Sequence, residues 1–184
     1  RDIFLENKKQ VWKRSLACAL LARSMSGIVQ IDREQAFLCG LMIDFGKIVL
    51  YSLIQDLMHK EPQYRSTSKD VINYIITSYH QKVGGTVAEK WMLPASVLEA
   101  IKNHRALAPD AELSKYVPVA SLCNELLQEH FDHQDESGTP VTPRSEAELL
   151  ASPAVKMLNL APNQVHQILE LVPECLSYAQ QMAS

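Results

Sequence analysis

The chain has 184 residues, 47% hydrophobic and 21% charged, with a formal net charge of −3. This length suits one domain with its own core. The composition excludes wholesale disorder, and the charge excludes a global basic field that would draw the chain to nucleic acid.

Helices are expected throughout. Glycines number only 6, β-branched runs are scarce, and Ala, Leu, Lys, Glu and Gln dominate. Val11 to Ser26 reads as the first helix. Trp12, Leu16, Ala19 and Leu20 form one stripe on it, and Arg14, Cys18, Leu21 and Met25 a second. Two such stripes imply burial on most sides. Glu34 to Ile54 reads as one helical region, apolar all round from Ala36 to Ile43 and therefore expected at the centre of the core. Gly40 and Gly46 within it suggest close approach by a neighbouring backbone. After a polar connection over Glu61 to Ser68, Ser68 is the expected N-cap of a helix to about Tyr79. A separate helix follows from His80 to Trp91. Pro94 suits the start of the next, to about His104, and Pro118 opens another to about Phe131. Residues 131–144 read as a mobile polar loop, and residues 145–184 as two amphipathic helices, the last from about Pro162 to Met182. No strand is expected.

The cysteines Cys18, Cys39, Cys123 and Cys175 lack metal or redox spacing and sit in apolar surroundings. Reduced core thiols and a cytoplasmic location are expected. No stretch reads as long enough and apolar enough to span a bilayer. There is no signal-peptide pattern, and the start at Arg1 suggests a piece of a longer protein.

The sharpest local feature is Gly40-Leu41-Met42-Ile43-Asp44-Phe45-Gly46-Lys47. It places an aspartate in an apolar helix, where an unpaired carboxylate is costly. Asp44 therefore needs a partner. Lys47 is one turn away, and Arg14, His80, His104 and Arg105 lie at or near the inward ends of helices. The plainer alternative is a partly exposed Asp44 paired with Lys47.

This run resembles the GLLHDIGK signature of HD-domain phosphohydrolases, with Ile43 where the histidine belongs. Other elements match in order. Trp12-Lys13-Arg14-Ser15 with Ala19 resembles the W-x-x-S…A opening of HDOD domains, the degenerate branch of that superfamily. His80-Gln81-Lys82-Val83-Gly84 resembles H-x-x-(V/I)-G, and Trp91-Met92-Leu93-Pro94 resembles W-x-L-P. Ile101-Lys102-Asn103-His104-Arg105 resembles I-x-x-H-H, and Val119-Ala120-Ser121 stands where an A-D pair is frequent. The resemblance covers about residues 10–130. It implies an all-α, HD-domain-like helical bundle occupying residues 1–184. The helical subdomain that usually precedes the W-x-x-S element is expected to be absent from this chain; the apolar face so exposed could drive homodimerisation.

In catalytic relatives the ligands are a first-helix histidine, the His-Asp pair and a late aspartate. The corresponding positions here hold Arg14, Ile43, Asp44 and Ser121. Isoleucine has no lone pair to offer and arginine stays protonated. One carboxylate cannot hold a hydrolytic ion with an open water position. The expected site is therefore a vestigial network of Arg14, Ile43, Asp44, His80, His104, Arg105 and Ser121. In it guanidinium replaces the metal and the histidines complete a hydrogen-bond network. No catalytic residue and no cofactor are expected.

Two alternatives use the same residues. Asp44, His80 and His104 could bind a divalent transition metal in a residual phosphohydrolase. A cationic pocket built around Arg14, Lys47 and Arg105, with His80 and His104, could sense a phosphate or nucleotide. The GYP motif is absent after His104, which argues against cyclic-di-GMP hydrolysis. The resemblance implies a bacterial regulatory module of signal transduction, for example in a two-component system. It would act by protein contact on a signalling protein or on a fused receiver, kinase or cyclic-dinucleotide domain. No specific nucleic acid and no membrane are expected as partners. Trp12 and Trp91 are expected to anchor the core. His130, Asp132, His133 and Asp135, and the basic cluster Lys8, Lys9, Lys13 and Arg14, read as solvated surface.

Overall fold

A computed structural model describes residues 2–107, 112–131 and 144–183. The expected loop over residues 131–144 lies outside them apart from its two ends, as do Asp132, His133 and Asp135. Nine α-helices and one 3₁₀ turn make up the described elements, with no strand among the described residues. They are α1 (Leu5–Val29), α2 (Arg33–Met42), α3 (Phe45–Lys60), α4 (Lys69–Lys90), α5 (Ala95–Asn103), α6 (Tyr116–Phe131), α7 (Glu146–Leu150), α8 (Pro153–Met157) and α9 (Pro162–Met182), with the 3₁₀ turn at Pro62–Tyr64. The fold class is all-α, as expected.

The centre of the bundle is α1, not the 34–54 region. It packs against α2, α3, α6 and α9. Its small side chains Ala17, Cys18, Ala19 and Ala22 are buried, and their size lets several helices approach one axis. The helix ends where Gln30 turns left-handed (φ 56°) and its N–H caps the Ser26 carbonyl.

The expected helix over 34–54 is two helices. Asp32 caps α2 through the Gln35 N–H at 2.8 Å. The chain then breaks at Ile43–Asp44, and α3 starts afresh with Asp44 at its N-cap position (φ −100°, ψ 1°). This break takes Asp44 off a continuous helix and turns it into the interior. Two glycines allow the docking on either side. A Cβ on Gly40 would meet the Cys18 carbonyl oxygen of α1 at 2.6 Å, and one on Gly46 would meet the His80 carbonyl oxygen of α4 at 1.9 Å. Both neighbours are backbone and cannot swing aside. Gly46→Ala should therefore separate α3 from α4 and lower stability by about 2–3 kcal/mol; an unchanged urea midpoint would refute that close contact.

By contrast, the two helices expected between Ser68 and Trp91 are one. Ser68 caps α4 through the Val71 N–H, and the helix runs without interruption through His80 to Lys90. The two helices expected after residue 145 are three, because Ser145 and Ser152 each begin a new one.

Buried apolar residues form two clusters. The larger joins α1, α2, α5, α6, α8 and α9 and includes Leu21, Met25, Ile43, Ile101, Leu122, Leu127 and Ile168. The smaller comprises Phe4, Leu50, Tyr51, Met58, Ile72 and Ile76. Ile43 belongs to the first and Leu50 to the second, so Asp44 sits at the seam. All four cysteines are free and buried. The tryptophans are not core anchors: Trp12 is 46% exposed and Trp91 56%. Trp91 instead lies over Phe45, ring centroids 5.2 Å apart.

Among the described residues one span, Arg33–Lys60, is long and apolar enough to cross a membrane by length and hydropathy, contrary to the sequence reading. It corresponds to α2 and α3 taken together. Its hydrophobicity serves the bundle core, it is broken at Asp44, and it carries the buried ion pairs described next.

Candidate functional site

Four elements converge on Asp44. Arg14 comes from the middle of α1, Lys47 from the first turn of α3, His80 from the middle of α4, and His104 from the end of α5. Asp44, His80 and His104 are each no more than 1% exposed, and Arg14 is 6% exposed.

The carboxylate of Asp44 is held from two sides. Arg14 Nη1 donates to Asp44 Oδ2, while the Lys47 ammonium lies 2.9 Å from Oδ1. The other Arg14 terminal nitrogen, Nη2, donates to the Asn124 side-chain oxygen on α6 at 2.6 Å. The guanidinium thus bridges the junction of α2 and α3 to α6. Burial alone would raise the Asp44 pKa, but the nearby Arg14 and Lys47 cations outweigh it and hold the carboxyl well below its ordinary 3.8. Lys47 is pulled the other way, below 10.5, by its burial and by the neighbouring guanidinium charges, with Asp44 opposing.

The two histidines share one arrangement. His80 Nδ1 lies 3.1 Å from the Ile76 carbonyl and 2.9 Å from that of Thr77. His104 Nδ1 lies 3.1 Å from the carbonyls of both Ala100 and Ile101. A carbonyl only accepts, so Nδ1 carries the hydrogen in each ring and Nε2 keeps its lone pair. Both Nε2 atoms are buried without a hydrogen-bond partner. The rings meet edge-on, centroids 5.8 Å apart. Burial pushes the His80 pKa down to about 4 and the His104 pKa down to about 3. Both rings are neutral at pH 7.

One carboxylate oxygen and the two histidine nitrogens lie within 4.8 Å of one another. Fixing Nδ1 to a backbone carbonyl while Nε2 faces inward is how a histidine is oriented toward an ion. The donor geometry therefore suits a divalent transition metal. The surrounding charge does not: both carboxylate oxygens already face a cation, and a divalent ion would stand beside Arg14 and Lys47 in a poorly solvated site.

The remaining expected residues are distributed differently. Ile43 packs into the larger core cluster. Ser121 is buried on α6 and takes no part in the ion-pair cluster; Asn124, one turn further along the same face, is the α6 residue that reaches it. The histidines were expected to complete a hydrogen-bond network with the charged groups; they bond to backbone carbonyls through Nδ1 instead, both Nε2 atoms are without a hydrogen-bond partner, and His80 Nε2 stands 4.0 Å from Asp44 Oδ1. Arg105 lines a cavity of about 850 Å³ with Arg14, Asp44 and Lys47. His80 and His104 lie behind Asp44 and do not line it. Residues that sequence reasoning missed form much of its wall, among them Asn7, Gln10, Tyr51, Asn73, Thr77 and Gln128. The signal for Asn124 and Gln128 was available, because both follow Ser121 at helical spacing on a largely apolar helix.

Comparison with known proteins agrees with this arrangement of motifs. The HDOD domain family matches residues 3–107. An uncharacterized protein of Treponema pallidum (strain Nichols) is 25% identical over 125 residues, which cover 63% of this chain and 23% of that protein. The chain thus corresponds to about a quarter of that relative. No solved structure matches.

Proposed function

The chain belongs to the HDOD domain family, a group linked to the HD-domain superfamily and generally regarded as non-catalytic, and from that premise we propose that it is a regulatory module of bacterial signal transduction that acts through protein contacts and not by hydrolysis. The observation that carries this reading is the two-sided pairing of Asp44 with Arg14 and Lys47. These side chains neutralise the carboxylate with fixed positive charge, which is the work a metal would do. The module's targets would be a separate signalling protein or a fused receiver, kinase or cyclic-dinucleotide domain. Four buried free thiols support a reducing, cytoplasmic setting. No nucleic acid or membrane partner is part of this proposal.

The test combines metal content with turnover. After incubation with zinc or manganese and dialysis, the purified chain should retain well under one equivalent of metal and should release no phosphate from phosphoesters. Stoichiometric metal together with turnover abolished by Asp44→Ala would overturn the reading.

That outcome would instead support a second reading, a residual metal phosphohydrolase using Asp44, His80 and His104. It is favoured by one observation, the convergence of those three donors with both Nε2 atoms unpartnered.

A further inference from the structure

Helix α3 packs against both α1 and α4. The cavity of about 850 Å³ is walled by those two flanking helices, with Lys47 and Tyr51 of α3 also in its lining. Each wall is one helical stripe. On α1 it is Asn7, Gln10, Val11 and Arg14, and on α4 it is Asp70, Asn73, Tyr74 and Thr77, both at i, i+3, i+4, i+7 spacing. A stripe that closes a helix onto its neighbour at this spacing is apolar; these two are mainly polar. Gln128 and Phe131 of α6 complete the lining.

The hydrogen-bonding capacity left over in this cavity belongs to uncharged groups. Arg14 is engaged with Asp44 and Asn124, Lys47 is paired with Asp44, and Arg105 has interactions of its own. By contrast, the side-chain amides of Gln10, Asn73 and Gln128 have no partner among the described residues. The Tyr51 hydroxyl, on a residue only 7% exposed, accepts a long bond from Asn7 Nδ2 at 3.5 Å and donates to no group among the described residues. A buried hydroxyl ordinarily finds an acceptor.

We propose that this cavity binds an uncharged saccharide of one or two rings. A carboxamide offers donors and an acceptor side by side, and so does a pair of neighbouring sugar hydroxyls. The amides come from α1, α4 and α6, so they suit hydroxyls that radiate in several directions; a planar nucleobase would meet only those in its own plane. The Tyr74 ring, on a residue 68% exposed, offers an apolar face to the C–H face of a sugar ring. Glu6 and Asp70 also line the cavity; their carboxylates accept from hydroxyls and repel an anion. The volume lies within the range of small-molecule sites. The proposal goes beyond the regulatory reading by giving the module a chemical input.

Isothermal titration with maltose, cellobiose, lactose, trehalose and sucrose, alongside adenine and inorganic phosphate, tests it. The expected result is saturable one-to-one binding of at least one disaccharide, tighter than that of adenine or phosphate. For that disaccharide, Tyr51→Phe, Gln10→Ala and Asn73→Ala should each weaken binding about threefold to tenfold, the loss of one hydrogen bond. Gln10 and Asn73 are exposed, so their variants should keep the wild-type melting temperature, and they decide the matter if Tyr51→Phe melts early. No saturable binding of any of the disaccharides, tighter binding of adenine or phosphate, or an affinity unchanged in both amide variants overturns the proposal. Phosphoester turnover would overturn the regulatory reading and leave this proposal standing; absent saccharide binding would do the reverse.

Discussion

Asp44→Ala is expected to lower the unfolding free energy by about 3–5 kcal/mol, the range for removing one partner of a buried ion pair. The reason lies less in the lost attraction than in what remains. Arg14 and Lys47 would lose the buried carboxylate that they share and that separates their charges. Arg14 holds two elements at once, Asp44 at the start of α3 and Asn124 on α6, so its disturbance should spread to both. The double variant Arg14→Met/Asp44→Ala should recover part of the loss, because it removes the guanidinium that has lost its Asp44 partner and leaves an apolar stem in its space. Denaturant midpoints of the two single variants and the double variant would measure this. Additive losses would mean that the pair is not energetically coupled.

A second large effect is expected on acidification. His80 and His104 have folded-state pKa values of about 4 and about 3, below the ordinary 6.5. Between those limits the unfolded chain binds protons that the folded chain refuses, so stability falls as pH falls. The contribution is complete above about pH 6.5 and is lost progressively toward pH 4 and below. Each histidine adds a slope of about 1.4 kcal/mol per pH unit within its window, and the two together about 2.7. Asp44, whose pKa lies well below 3.8, adds to the loss only at still lower pH. Urea denaturation from pH 7 to pH 4.5 should show this steep decline. His104→Leu should roughly halve its slope while costing stability at neutral pH. A wild-type stability that stays flat to pH 5 would show that the rings are not held neutral.

Much of this architecture was legible in the residues themselves. Helical periodicity located the segments in order, and Ser68 and Pro94 marked real beginnings because side-chain capping and the fixed φ of proline are both local. The break at Ile43–Asp44 was not legible, since apolar residues flank Asp44 on both sides, no proline marks it, and Gly40 and Gly46 read as places of close backbone approach. Its cause is tertiary: Gly46 must touch the α4 backbone while Asp44 must meet Arg14. Trp12 and Trp91 misled for the opposite reason, because aromatic size suggests burial but only packing decides it. Within the site, the charge logic of Asp44 required a partner and the family motifs brought Arg14 forward. Asn124 was hidden because the motif directs attention to Ser121, one turn earlier. The orphaned Nε2 atoms of His80 and His104 could not be read from sequence, since they depend on which carbonyls fix Nδ1.

The central claim is that fixed cations, not a metal, neutralise Asp44. Long-range ¹H–¹⁵N correlation spectra of the histidine side chains at pH 7, recorded with and without one equivalent of zinc, test it most directly. The account predicts that two buried rings show the neutral form with hydrogen on Nδ1, and that their Nε2 resonances do not change when zinc is added. A stoichiometric shift of both Nε2 resonances, lost in Asp44→Ala, would contradict it.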